Sequence, residues 1–333
     1  AFLLTEPRAL SDDLLRAQVY ESLWESVRSA ELDPRTYLHL ILERLPAETN
    51  DRIASTLLDR LRVVYLRYLD EKGRAPLAAP VEEFLSAQMR ASGSAGRRID
   101  YFRAFADLAR GENARRELKD LLANRNLAPG MALRSHDRFR ILQSLLIADD
   151  ADAYRLLDEL SAADTSEDGR RYAFGASAAN ADPTIKRALF HRLIEDPRLP
   201  ESWIEEALAP LNTLEHAAQT APLLGRALGE ITRLKRERKI FFVEHWLSAF
   251  IGGQSTRVAL NTVDQYLATA TIDPDLRLKI LETRDVLERT VRVRETFGAS
   301  RTSELQAPER PVASAKKPSG APRASASGKA SRR

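Results

Sequence analysis

The stretch "DDLLRAQVYESLWESVRSAELDPRTYL", Asp12 to Leu38, contains a helix, a stop and the start of a second helix. Leu15, Val19, Leu23 and Val27 recur every four residues, which makes one stripe along an α-helix, and Tyr20 and Trp24 widen it. Ser11 stands where an N-cap belongs. Asp12 and Asp13 bring negative charge to the first turn, where the helix dipole favours it. Asp33-Pro34 opens the second helix: the Asp side chain accepts from free N–H groups, and Pro at the first helical position has no N–H to leave unpaired. Tyr37, Leu38, Ile41, Leu42 and Leu45 form its apolar face. Two amphipathic helices joined by a short turn make an αα-hairpin, which cannot bury both faces alone and so predicts neighbours.

The same grammar continues to about Phe297. Asn50 caps a helix with Ile53, Leu57, Leu61, Val64 and Leu66 at its apolar positions. The Asp-Pro device returns at Asp182-Pro183 and at Asp273-Pro274, the latter opening the longest helix. No two-residue alternation bounded by Asn-Gly or Asp-Gly turns occurs. "AFLLTE" at the start is a candidate strand end, and "KIFFVEHWL" (Lys239–Leu247) reads as helix. Many short helices with short connections predict an all-α fold, an irregular superhelical stack of αα-hairpins of the HEAT or armadillo kind without a strict period.

The chain has 333 residues, of which 44% are hydrophobic and 30% charged, enough for a large core. Fourteen glycines are too few for a loop-rich β protein, and no apolar run nears the ~20 residues of a membrane span. Without cysteine, disulfides, thiol catalysis and thiolate metal sites are excluded. The compartment, cytoplasmic or exported, stays open. The net charge of +3 hides a division: from Ala299 onward eight basic residues face two acidic ones, a net +6 that leaves −3 for residues 1–298. Residues 1–298 are expected to form one helical-stack domain. The Ala/Ser/Pro/Lys/Arg segment 299–333 lacks the apolar surface to offset ordering entropy and is expected to be disordered. It has no aromatic residue to stack on bases, so nucleic acid is not an expected partner. The opening residue, Ala1 rather than Met, leads to the expectation of a processed or excised piece.

Catalytic and metal signatures are missing from the sequence. The histidines are His39, His136, His191, His216 and His245, and no two stand four residues apart. Neither GxxxxGK[ST] nor GxGxxG occurs. "FGASAAN" (Phe174–Asn180) is not GxSxG, and its small residues read as sites of close helix packing. The acid pairs Glu82-Glu83, Asp149-Asp150 and Glu205-Glu206 diverge by about 100° on a helix and read as solvated faces. "RLKRERK" (Arg233–Lys239) admits two readings, an anion site or a helix C-terminus whose dipole favours cations. Arg170-Arg171 and Arg97-Arg98 pose the same choice.

Three segments add a resemblance. "AQVYESLWESVRSAELDPRTYLHLILERLPAETNDRIASTLLDRL" (Ala17–Leu61) resembles the opening of the C-terminal helical region of zinc aminopeptidases of the aminopeptidase N type, the endoplasmic-reticulum-aminopeptidase-like C-terminal domain. Its Leu45-Pro46-Ala47-Glu48-Thr49-Asn50 matches a segment of the form L-x-x-E-T/N. "IFFVEHWLSAFIGGQS" (Ile240–Ser255), followed by "DPDLRLKILETRDVLERTVRV", is similar to the bacterial C-termini of that family, and "PLNTLEHAAQTAPLL" (Pro210–Leu224) fits the loop and helix before them. The resemblance covers residues 10–297.

It implies a non-catalytic helical bowl or lid over the peptide chamber of a metallopeptidase, limiting access and touching the far end of the substrate. The Zn2+ site, HExxH with a downstream Glu, would belong to an upstream catalytic domain of the same polypeptide. No catalytic or metal residue and no cofactor is carried onto this chain, which is expected to be inactive alone. Peptide substrates and the upstream domain are the implied partners, and a membrane is not. A chamber wall that receives a peptide carboxylate needs inward cations, because an unpaired buried carboxylate is costly and an Arg fork satisfies both oxygens. Arg171, Arg233 and Arg236 are the candidates. The competing class is an independent helical-repeat scaffold that binds a peptide or protein in its concave face.

Overall fold

The computed structural model describes residues 12–298. The "AFLLTE" strand end, Ser11 and the segment 299–333 lie outside the described residues. Within them the fold is all-α, with sixteen helices of six residues or more and no strand.

The opening hairpin is α1 (Asp13–Arg28) and α2 (Pro34–Arg44). Asp12, not Ser11, holds the N-cap position, and its carboxylate accepts from the Leu15 amide at 3.0 Å. Tyr20, Leu23 and Val27 are buried, but Leu15 is 49% exposed, because the buried stripe begins one turn later than its spacing predicts. Trp24 is half-buried and packs its ring 5.8 Å from both Tyr37 and Tyr68. The caps follow the sequence: Asp33 accepts from Arg35 N, Asn50 from Arg52 N and Ile53 N, Asp182 from Thr184 N, and Asp273 from Leu276 N. Each satisfies N–H groups that a helix start leaves without partners.

The hairpins stack so that alternate helices form one inner layer. This layer runs from α3 (Asp51–Val63) past α4 (Ala78–Ala91) to α5 (Ala95–Leu108). It continues past α6 (Glu112–Leu122) to α7 (Ser135–Ile147), and past α8 (Ala153–Ala163) to α9 (Glu167–Ser177). Then α10 (Pro183–Glu195) leads to α11 (Glu201–Leu211). After the short α12 (Leu224–Gly229) and α13 (Ile231–Glu237), α14 (Ile240–Phe250) packs on α11. The helices α15 (Arg257–Thr269) and α16 (Pro274–Phe297) complete the chain's described part.

Two apolar cores result. One gathers residues from α1 to α9, and the other gathers residues from α10 to α16. Trp246 on α14 is 1% exposed among Phe190, Phe242 and Phe250 in the second core, and its indole N–H donates to the Ala227 carbonyl at 3.0 Å. The long α16 joins both: Leu276, Ile280, Leu287 and Val291 belong to the second core, and Val293 belongs to the first. It packs against α1, α14 and the turn after α3, so the last helix returns to the start of the stack. Arg294 makes that closure specific. Its guanidinium donates to the carbonyls of Leu66, Arg67 and Leu69 at 2.7–3.2 Å and to Ser255 Oγ at 2.9 Å.

One member of each of two acid pairs departs from the solvated-face expectation, while Glu83 and Asp149 are exposed. Glu82 is buried and accepts from the amides of Arg110 and Gly111, capping the start of α6. Asp150 is buried and bridged by Arg115 and Lys119. In both cases N–H donors or cations compensate the charge, which is what a buried carboxylate requires.

Candidate functional site

The inner layer borders an open cavity of about 830 Å³. Its wall draws residues from α7, α9, α11, α14 and the segment after α3. Two of the three resemblance segments converge here, since Pro210–Leu214 and His245–Gly253 both supply lining residues. The "IGGQS" turn needs its glycines. A Cβ on Gly252 would stand 2.1 Å from the Ser248 carbonyl oxygen, and one on Gly253 would stand 2.5 Å from that of Asn212.

Arg67 lies at this turn. Helix α3 runs into one π-turn, Val64–Tyr68, closed by the five-residue hydrogen bond from Leu69 N to Val64 O at 3.1 Å. A π-turn adds a residue per turn and so shifts the face that later side chains occupy. Arg67 donates to the Gly252 carbonyl at 2.8 Å. Among the described residues no carboxylate pairs with it, and burial pushes its pKa down. The other cations of the wall are partnered. Arg140 reaches Asp107 at 2.6 Å, and Asp107 is also held by Arg62 at 2.9 Å. Arg171 reaches Asp168 at 2.9 Å and Glu206 at 3.6 Å.

Glu205 and Glu206 also line the cavity, against the expectation of a solvated face. An inner-layer helix presents a wide arc to the cavity, so two side chains about 100° apart both reach it. Each meets a histidine: His245 Nδ1 stands 2.9 Å from Glu205, and His136 Nε2 stands 3.9 Å from Glu206. Burial raises the pKa of Glu206. Burial, followed by the nearby Arg140, lowers that of His136. Gly175, inside "FGASAAN", brings α9 against α11, and a Cβ there would lie 2.5 Å from Glu206 Cγ.

Of the three arginines put forward from sequence, Arg171 stands on the cavity wall, and Arg233 and Arg236 are not among its lining residues. Arg233 is held by Glu230 at 2.9 Å, by Glu237 at 2.6 Å and by the Ile194 carbonyl. The rest of that basic run follows the helix-terminus reading: α13 ends within it, and Lys235 bridges Asp273 and Asp275. Sequence reasoning missed Arg67, although it is the one charged residue in the apolar and aromatic run Val63–Leu69.

Among the described residues, no group of three or more His, Asp or Glu side chains converges to hold a metal ion. The described residues therefore offer zinc no set of ligands. None of the described helices is long and apolar enough to cross a membrane.

The sequence profile described as "ERAP1-like C-terminal domain" matches residues 2–289. The aminopeptidase N of Streptomyces lividans is 23% identical over 292 residues, which are 87% of this chain and 34% of that protein. The chain thus spans about a third of that relative's length.

Proposed function

The chain belongs to the ERAP1-like C-terminal domain family, and from that premise we propose that it is the non-catalytic C-terminal helical region of a zinc aminopeptidase, forming one wall of the peptide chamber and limiting what enters. Hydrolysis would fall to the zinc-bearing catalytic domain upstream, and this wall would receive the far end of the substrate. The observation that carries the reading is Arg67. A half-buried guanidinium without a carboxylate gives up part of its hydration with no opposite charge to offset the loss. Arg67 has a backbone carbonyl as its partner and borders a cavity of about 830 Å³. The anion that would complete it on a peptide is the terminal carboxylate, which a guanidinium can grip with two parallel hydrogen bonds. Arg171, held by Asp168 and Glu206, is a second guanidinium on the same wall.

The test joins this chain to the catalytic part of an aminopeptidase N and compares a free-acid peptide with an amino-acid anilide. In Arg67→Gln, KM for the peptide should rise about tenfold, the size of one charge-assisted contact. KM for the anilide, which has no terminal carboxylate, should stay unchanged. Arg171→Gln should act in the same direction more weakly, and Arg233→Gln and Arg236→Gln should leave both substrates unaffected. Equal changes for peptide and anilide in Arg67→Gln would refute the reading.

A further inference from the structure

The proposed carboxylate position at Arg67 turns the remaining charges of the cavity into a ruler. Glu206 is engaged by Arg171. Glu205 has no cation other than an imidazole beside it: among the described residues its hydrogen-bond partner is His245 Nδ1 at 2.9 Å. It lines the same cavity as Arg67 and keeps part of its carboxylate open, with 29% of the side chain exposed. A partly open carboxylate and an uncompensated guanidinium facing one cavity match a ligand that carries both charges.

Gly252, whose carbonyl holds Arg67, and His245, which holds Glu205, belong to α14 and its terminal turn, seven residues apart, so one element supports both charges. Seven helical residues rise ~10 Å, a length that an extended peptide covers within its last few residues. We propose that Glu205 receives a basic side chain, Lys or Arg, near the carboxyl end of a peptide whose terminal carboxylate lies at Arg67. The proposal rests on the reading of Arg67 given above and adds a sequence preference to it.

The experiment titrates the whole chain into fluorescently labelled Ala/Ser heptapeptides and follows anisotropy. The peptides carry Lys at the third or second position from the end, or no Lys, each as free acid and as carboxamide. Lys at either position should tighten binding of the free acid about fivefold over Ala there, as expected for one partly exposed charge pair of ~1 kcal/mol. Glu205→Gln should remove the preference, and Glu205→Lys should reverse it in favour of Glu at the same position, a change of sign that misfolding does not produce. A lysine effect that survives Glu205→Gln overturns the proposal, as does an absence of binding for every peptide at millimolar concentration. If free acid and carboxamide bind alike while the lysine preference holds and depends on Glu205, the carboxylate site at Arg67 fails and Glu205 stands as a site for basic side chains. If the free acid wins and Lys has no effect, Glu205 fails and Arg67 stands.

Discussion

Lys186 shows how a single buried charge is held in this fold and what it does to stability. It is 1% exposed on α10, and its ammonium donates to the Leu211 carbonyl at 2.8 Å and more weakly to that of Ala178. Among the described residues no carboxylate offsets the burial, which pushes its pKa down to about 8. The unfolded chain keeps that proton to a pH above 10, whereas the folded chain keeps it to about 8. The unfolded state therefore binds more protons across this interval, and stability rises with pH through it, by roughly 3 kcal/mol in all. Below pH 8 this group contributes no slope. Above pH 10, Tyr37 and Tyr65, raised by burial to about 12, act in the opposite direction. Denaturant midpoints of the wild type should climb between pH 8 and 10, and those of Lys186→Met should not; a parallel climb in the variant would contradict the assignment. Such a residue is not legible in sequence, where Lys186 stands in an ordinary amphipathic helix. Arg171, put forward from the sequence, stands on the cavity wall, and Arg67 was not legible, because the π-turn Val64–Tyr68 changes the face that a uniform 3.6-residue period assigns to it.

Among the elements, the caps were the most legible feature. Asp33, Asn50, Asp182 and Asp273 each close their helix start as their spacing predicts, because capping depends on residues two or three positions away. Close approach between helices depends on partners far along the chain and was legible only as small residues in "FGASAAN". Gly175 is where α9 meets α11, and a Cβ there would also stand 3.0 Å from the Glu206 carbonyl oxygen. Gly175→Ala should cost about 1–3 kcal/mol, as overpacking does, and should displace Glu206 from the wall. In α12, Gly225 has open space around its Cα, and Gly225→Ala should be neutral or stabilising by up to about 1 kcal/mol from helix propensity. Thermal denaturation of the pair checks both, and equal effects would mean that the α9–α11 contact is looser than described. At α14, Trp246→Ala should lose about 3–5 kcal/mol, since it empties the centre of an aromatic cluster.

At the scale of the whole molecule, the stack returns on itself through α16, and Arg294 is the polar part of that closure. Replacing it by Leu would take a donor from the carbonyls of Arg67 and Leu69, at up to about 1–3 kcal/mol for each one left unsatisfied, whereas the Leu66 carbonyl keeps Arg74 as a donor. Because those carbonyls belong to the turn that carries Arg67, Arg294→Leu should lower both stability and peptide affinity; a loss of affinity alone would argue against a structural role. The helical stack and its hairpins could be read from local periodicity. The return of α16 to α1 could not, because residues more than two hundred positions apart leave no mark in a local pattern. The isolated chain should cleave no amino-acid anilide with or without added zinc, and chelator-sensitive hydrolysis by the purified chain would contradict the chamber-wall reading. The most direct test of the central claim is the ratio of affinities for one peptide as free acid and as carboxamide, measured by anisotropy with the wild type and with Arg67→Gln. The account predicts that the wild type favours the free acid about tenfold and that Arg67→Gln binds both forms equally; a preference that persists unchanged in Arg67→Gln would contradict it.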